Sequence, residues 1–195
     1  MHTLREGVSR FQQDVFPTKA ELFAHLDTHH VPTTLFIGCF DARVVPELIT
    51  TAEPGELFVI RTAGNLVPAY TPEPEGVAAS IEYAVNALAV QDIVVCGHSR
   101  CGAMTALAQG HDLSDTPAVA AWLQYADASR ARTATAGDVT ALVRQNVHAQ
   151  LANLATHPSV ARASAEGKLS LHGWVFDIST GRVEELPATN QQLSA

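Results

Sequence analysis

Three side chains able to bind a soft metal stand at two places in this sequence. Cys39 opens the stretch Cys39-Phe40-Asp41-Ala42-Arg43, and Gly97-His98-Ser99-Arg100-Cys101-Gly102 carries the other two. Thiolate and neutral imidazole are the usual protein ligands of zinc. His98 and Cys101 are three residues apart, so one loop can wrap one ion; Cys39 lies 59 residues before His98 and joins them only where the fold sets the two stretches side by side. Two cysteines and a histidine make the three-ligand set of a catalytic zinc, whose fourth position stays open for water. Asp41 and Arg43 adjoin that set. In an extended segment, residues two apart point the same way. The Arg43 fork can then hold the Asp41 carboxylate bidentately and keep it ionised. Held so, Asp41 accepts a hydrogen bond from the metal's water. Released, it could become a fourth ligand and shut the site. A bare surface ion pair, worth about 0–1 kcal/mol, is the weaker reading so close to a candidate ligand.

Competing chemistries fit less well. Cys96 lies in the apolar run Asp92-Ile93-Val94-Val95-Cys96-Gly97. Strand alternation is expected to turn it away from the loop of His98, and it reads as a small core residue. Gly97-His98-Ser99-Arg100-Cys101 resembles a nucleophile elbow, but its last position is Cys rather than Gly. There is no HExxH, no CxxC and no phosphate-binding glycine loop. A Cys–His nucleophile pair of Cys39 and His98 leaves Cys101 unexplained.

The elements that must position these residues alternate. Short, nearly continuous apolar runs at 33–39, 56–61 and 92–97 read as buried parallel strands. A fourth strand is expected at 169–176, and an edge strand at 182–186 after a Ser-Thr-Gly turn. Helices are expected at 17–30, 76–90, 101–109, 117–130 and 138–157, with a helical turn at 46–51. This order predicts an α/β fold: a mostly parallel central sheet of four parallel strands plus an antiparallel edge strand, flanked by helices. In such sheets ligands bind at the carboxyl ends of the strands, where both candidate stretches fall. Leu4, Val8, Phe11 and Val15 form one apolar stripe of an amphipathic helix. Residues 1–30 are therefore expected to be a helical arm that packs on a partner subunit, within a single domain spanning 1–195.

Composition limits the partners. The chain has 195 residues, 47% apolar and 16% charged, as expected of one globular domain. Twelve Lys and Arg against 20 Asp and Glu leave a net charge of −8, unsuited to nucleic acid or an anionic membrane. No apolar run reaches the roughly 18 residues of a membrane span, and the amino end lacks the apolar core of a secretion signal. Three cysteines are too few, and odd in number, for a disulfide framework. A reducing cytoplasm is expected.

The two ligand stretches resemble the β-class carbonic anhydrases. That family's Cys-x-Asp-x-Arg motif is matched by Cys39, Asp41 and Arg43, and its His-x-x-Cys-Gly motif by His98, Cys101 and Gly102. An intervening Arg-Asn-x-(Ala/Gly)-Asn stretch is matched by Arg61-Thr62-Ala63-Gly64-Asn65. The resemblance runs from Phe11 to about Leu186 and is strongest to bacterial members associated with cyanate degradation. It implies one zinc per subunit on Cys39, His98 and Cys101, with Asp41 and Arg43 as the catalytic dyad. It implies that the Gly102 N–H faces bound bicarbonate. Phe58, Ala63 and Tyr83 would line an apolar carbon dioxide pocket that a dimer partner helps to build. A pocket Gln of the family is replaced by His30, which can still donate a hydrogen bond and whose charge depends on pH. The chain departs from the family's usual Ser, Ser and Asn at Phe40, Ala42 and Thr62. One subgroup has an allosteric bicarbonate pocket of Trp, Arg and Tyr. Those positions read Phe36, Arg61 and Phe176 here, so no such pocket is expected.

The implied reaction is reversible hydration of carbon dioxide to bicarbonate and a proton by zinc-bound hydroxide, which Asp41 orients. Two thiolates and an imidazole cancel the metal's charge, so its water should ionise at higher pH than beside three histidines. Activity is then expected to rise through the alkaline range. A dimer or tetramer of identical subunits is implied. Two alternatives stay open at this point: hydrolysis of another linear electrophile, such as carbonyl sulfide or carbon disulfide, and a catalytically silent zinc- or bicarbonate-binding protein.

Overall fold

In the computed structural model, which describes residues 3–187, the chain divides into two compact units, Met1–Val31 and Pro32–Ala195. The ends of the expected domain, 1–2 and 188–195, lie outside the described residues.

The first unit begins with helix α1 (Leu4–Arg10), started by a capping box in which Thr3 and Glu6 satisfy each other's main-chain N–H. Wider and tighter helical turns, Phe11–Val15 and Phe16–Lys19, lead into helix α2 (Ala20–Leu26). Phe11, Phe16 and Phe23 form a ring cluster with centroids 5.4–6.3 Å apart. The predicted stripe is exposed, Leu4 at 92% and Val8 at 56%.

The second unit is a five-stranded sheet. Its strands are β1 (Thr34–Cys39), β2 (Leu57–Thr62), β3 (Asp92–His98), β4 (Ser170–Phe176) and β5 (Val183–Leu186), in spatial order β2-β1-β3-β4-β5. The first four are mutually parallel and β5 is antiparallel to β4, as the sequence predicts. The helices are α3 (Pro46–Thr50), α4 (Gly76–Glu82), α5 (Gly102–Gln109), α6 (Pro117–Leu123), α7 (Asp127–Arg132), α8 (Val139–Leu154) and α9 (Pro158–Ala165). Several boundaries differ from the sequence reading: the helix expected at 17–30 begins as the tight turn Phe16–Lys19 and ends at Leu26, and the one expected at 76–90 passes after Glu82 into a wider turn, Tyr83–Ala87. The expected 117–130 helix is broken by a tight turn, Gln124–Ala126, into α6 and α7. Helix α9 was not anticipated: His157 is extended and Pro158, at the first turn, starts a new helix.

The main core joins Leu35, Ile37, Ile93 and Val95 on one sheet face to Ile81 of α4, Val147, Leu151 and Leu154 of α8, and Val160 of α9. On the other face a smaller cluster of strand residues holds Phe36, Val94 and Cys96. Burying the larger side chains contributes roughly 1.5–3 kcal/mol each. Gly97 and Gly173 let α8 lie close on β3 and β4: a Cβ at either would stand 2.9–3.0 Å from side-chain carbons of Val143, Val147 or Leu151. Because β2 and β3 flank β1 on opposite sides, the chain reverses its winding between β1 and β3. A crevice opens at their carboxyl ends, and those ends are Cys39 and His98.

Candidate metal centre

Cys39 ends β1, His98 ends β3, and Cys101 caps the amino end of α5. The donor atoms of all three lie within 4.8 Å of one another, and all three residues are buried. Between the last two, Arg100 adopts a left-handed conformation with φ 54°. That tight loop is how ligands three residues apart face one point. The Ser99 N–H donates to Phe176 O at 2.9 Å, and the Ser99 hydroxyl accepts from the Ile178 N–H at 3.0 Å, so the loop is pinned to the end of β4.

The His98 ring is set for metal binding. Its Nδ1 lies 3.0 Å from Ser99 O. A carbonyl only accepts, so Nδ1 carries the hydrogen and Nε2 presents a bare lone pair. Nε2 is buried without a hydrogen-bond partner, an arrangement that costs free energy unless something completes it. Beside it the two thiols share a proton. The Cys101 thiol donates to Cys39, which outweighs burial and holds Cys39 well below its ordinary value; the Asp41 and Gly64 N–H groups assist. The same bond, with burial, pushes Cys101 up, although the Ala103 and Met104 N–H groups of α5 favour its thiolate. The pair accepts one negative charge easily and resists a second. A divalent cation among two sulfurs and an orphaned imidazole nitrogen would relieve both conditions. The donor set fits zinc.

Asp41 and Arg43 pair as expected, but the backbone differs from the extended segment assumed above. Residues 41–44 form a turn, closed by Val44 N–H to Asp41 O at 2.9 Å. Asp41 Oδ1 accepts from the Arg43 main-chain N–H at 3.0 Å, as Asp commonly does in turns. The guanidinium then forks the carboxylate, Nε to Oδ1 at 2.9 Å and Nη2 to Oδ2 at 2.7 Å, and Nη2 also reaches Arg100 O at 3.2 Å. This pairing, led by the Arg43 side chain, keeps Asp41 well below the usual carboxylate range. Asp41 Oδ2 stands 3.9 Å from His98 Nε2.

The other expected site residues are distributed more widely. Gly102 opens α5 beside Cys101 and is exposed. Ala63 adjoins Gly64 in the turn that follows β2. Phe58 and Tyr83 face each other, ring centroids 6.0 Å apart. Yet Phe58 pairs with Leu35, four residues before the Cys39–Thr62 pair, or about 13 Å down the strands. The chain does not bring them to its own metal centre, and Tyr83 is 49% exposed. His30 belongs to the first unit. Cys96 is fully buried against the strand cluster, and burial pushes it up to about 12. Alternation is not what separates it from the centre, since Cys96 and His98 are two apart on β3. The cause is depth, because Cys96 lies back in the apolar packing with Phe36 and Val94.

Residues 34–183 match the family model described as carbonic anhydrase. The chain is 54% identical to the carbonic anhydrase of Pseudomonas aeruginosa, over 98% of this chain and 90% of that one. Its fold superposes on the β-carbonic anhydrase CcaA with a TM-score of 0.88 at 39% identity, covering 94% and 93% of the two chains. A second solved structure, one of two tetrameric β-carbonic anhydrases from Sordaria macrospora, gives 0.82 at 32% identity, with 95% of each chain covered. The chain belongs to the β-carbonic anhydrase family. It is therefore an enzyme of carbon dioxide hydration, and the alternatives of a silent binding protein or a different hydrolase fall behind.

Two supports of this carbonic anhydrase site escaped the sequence reading. Arg61 donates to Cys39 O at 3.1 Å, and to Asp41 O and Val44 O at 2.7 Å each, tying down the turn that carries the dyad. The stretch after β2 has no strand partner beyond Thr62, and side chains serve its main chain instead. Trp122 donates to Ala63 O, Asn146 to Gly64 O and Asn153 to Val67 O, while Gln150 accepts from the Val67 N–H. His157 donates to Pro68 O. Asn146, Gln150 and Asn153 recur at helical spacing on α8, among Val143, Val147 and Leu151; that polar interruption of a buried stripe is the sequence signal that could have revealed them.

Proposed function

We propose that the chain catalyses reversible hydration of carbon dioxide to bicarbonate and a proton with one zinc ion held by Cys39, His98 and Cys101. The observation that carries this reading is the buried, unpartnered Nε2 of His98, set among two sulfurs and 3.9 Å from a carboxylate that Arg43 holds in place. Zinc, when bound, supplies the Lewis acidity that brings water's ionisation into reach of ordinary pH. The chain's own residues do the rest. Cys39 and Cys101 give up their protons to bind, and the Ser99 carbonyl fixes the His98 tautomer. Arg43 keeps Asp41 ionised and turned away from ligation. Asp41 Oδ2 then accepts the hydrogen of the attacking oxygen and leaves that oxygen's lone pair facing carbon dioxide. The Gly102 N–H, at the start of α5, donates in this reading to the bicarbonate formed.

The apolar wall is incomplete in one chain. Ala63 is in the turn that follows β2, whereas Phe58 lies about 13 Å down the strands from the Cys39 pair, with Tyr83 against it. The reading is that they serve the pocket of a second copy in a homodimer or homotetramer, where His30 of the amino-terminal arm contributes a polar edge. The tetrameric description of the Sordaria relatives supports such assembly. Among the described residues no helix is long and apolar enough to cross a membrane. Two reduced thiols at the centre suit a reducing cytoplasm. A role beside cyanate breakdown rests on the resemblance of the stretches from Phe58 to Gly76 and from Gly97 to Leu107, and the neighbouring genes test it.

Stopped-flow hydration of carbon dioxide is the deciding experiment, run on chelator-stripped protein, on protein reloaded with zinc, and with carbonyl sulfide in place of carbon dioxide. Zinc-dependent turnover of carbon dioxide is expected. Turnover unaffected by stripping overturns the metal reading, and carbonyl sulfide as the better substrate overturns the assignment.

A further inference from the structure

Asn146 is 1% exposed, in the middle of a helix face that otherwise packs against the sheet. A leucine there would bury as much surface without a polar group to satisfy, so a buried amide needs a compensating role. Its three hydrogen bonds are directional. Nδ2 donates to Gly64 O at 2.9 Å, while Oδ1 accepts from Ser129 Oγ at 3.1 Å and from Gln150 Nε2 at 2.9 Å. The two donors on Oδ1 fix which end of the amide meets Gly64, and a buried network of this kind is rigid.

Gly64 is where that rigidity is delivered. Its φ is +67°, in the region that glycine enters without penalty. A Cβ there would stand 2.9 Å from Met104 and 3.1 Å from Ala103, so the turn lies flush on α5, the helix that Cys101 caps. The Gly64 carbonyl is held by Asn146. Glycine has the softest backbone of any residue, so a hinge here is fixed only by what grips it from outside. We propose that Asn146 is a positioning residue for the metal centre: by holding the Gly64 carbonyl it keeps that turn seated on Ala103 and Met104 at the start of α5, and so fixes where Cys101 stands among the ligands. The inference rests on the metal reading of Cys39, His98 and Cys101. Asn153 supplies the internal comparison, since it serves the same stretch at Val67 O, three residues past Gly64.

The test uses full-length Asn146→Ala, Asn146→Ser and Asn153→Ala proteins, stripped and reloaded with Co2+ as the probe. Both the thiolate-to-cobalt absorption and the rate of Co2+ loss to excess chelator are followed. The Asn146 variants are expected to shift the absorption and release Co2+ about 10–100-fold faster than wild type, the usual effect of removing a group that orients a ligand. Asn153→Ala is expected to lose stability in urea while keeping the wild-type spectrum and release rate. Asn146→Ser, which keeps a smaller polar group, carries the measurement where the alanine variant folds poorly. A wild-type spectrum and release rate in the Asn146 variants overturns the proposal, as does an equal change in Asn153→Ala. A wild-type chain that binds no Co2+ overturns the metal reading itself, a result visible before any variant is compared.

Discussion

Substituting Gly97 by alanine should destabilise the protein by crowding α8. Gly97 sits on β3 one residue before His98, and its φ is not in the left-handed region, so the new methyl brings no backbone strain. What it brings is contact. Its Cβ would lie 2.9 Å from Val147 Cγ2 and 3.0 Å from Val143 Cγ1, with Val143 O behind at 3.7 Å. Both valines are buried, at 0% and 3% exposure, and belong to a 16-residue helix that also packs on β4. They cannot swing aside as an exposed side chain would. Overpacking of this kind costs about 1–3 kcal/mol. Val147→Ala alone should also destabilise, by roughly the same amount, through the space it leaves. Together the two changes relieve each other, because the added methyl enters the vacated volume. A double-mutant cycle in urea, at fixed protein and zinc concentration, should return a favourable coupling of about 0.5–3 kcal/mol. A strictly additive pair, or a stable Gly97→Ala protein, would refute the close seat of α8 on the sheet.

Replacing Asp41 or Arg43 by alanine should leave a folded, zinc-binding protein with turnover reduced about 100-fold or more; near-normal hydration rates would remove the dyad from the mechanism. His172 bridges β3 and β5 from β4, with Nε2 2.9 Å from Asp92 and Nδ1 3.2 Å from Glu185. Burial opposes its charge, but the two carboxylates outweigh burial and raise its pKa. A raised histidine stabilises below its unfolded value, about 6.5, and that contribution is lost as pH rises through the folded value. Wild type should therefore exceed His172→Gln in urea stability by up to about 1 kcal/mol near pH 6 and by less near pH 9, and a gap independent of pH contradicts the ion pairs. Cys96→Ala should keep one zinc per chain at a cost of about 1 kcal/mol, whereas Cys39→Ala should lose the metal; zinc analysis of the two proteins decides it. Crystals soaked in bicarbonate should show no ion beside Arg61, whose guanidinium already serves three main-chain carbonyls.

How far the sequence was legible depended on what each inference needed. The strands at 33–39 and 92–97 were readable because an uninterrupted apolar run has few other homes, and Cys39 and His98 then fell at strand ends. Ligand chemistry restricted the metal set to a few residue types, so identity and spacing were enough. The Asp41–Arg43 contact was anticipated for the wrong backbone, because a pair two residues apart meets equally well across a turn and along an extended segment. Helix α9 lies beyond the helix expected at 138–157, and its Pro158 opens a new helix rather than breaking an old one. Asn146 and Arg61 were invisible as supports: their partners are main-chain carbonyls distant in sequence, and any residue type offers one. The separation of Phe58 from the centre depended on strand register, which the apolar pattern of a strand does not encode.

The two halves of the site differ in how much chain each needs. Asp41 and Arg43 meet inside one turn, a contact within reach on the timescale of short-loop closure, about 10–100 ns for ten residues. Cys39 and His98 meet only once the 58 residues between them have been folded back through β2 and α4, so their encounter bears the closure entropy of a long loop. During synthesis the carboxylate–guanidinium pair can form almost as soon as it is made, while a complete ligand set must await Cys101. Metal capture by these residues would then be tied to the assembly of β3 beside β1, and the energy of binding would hold that long-range pairing closed.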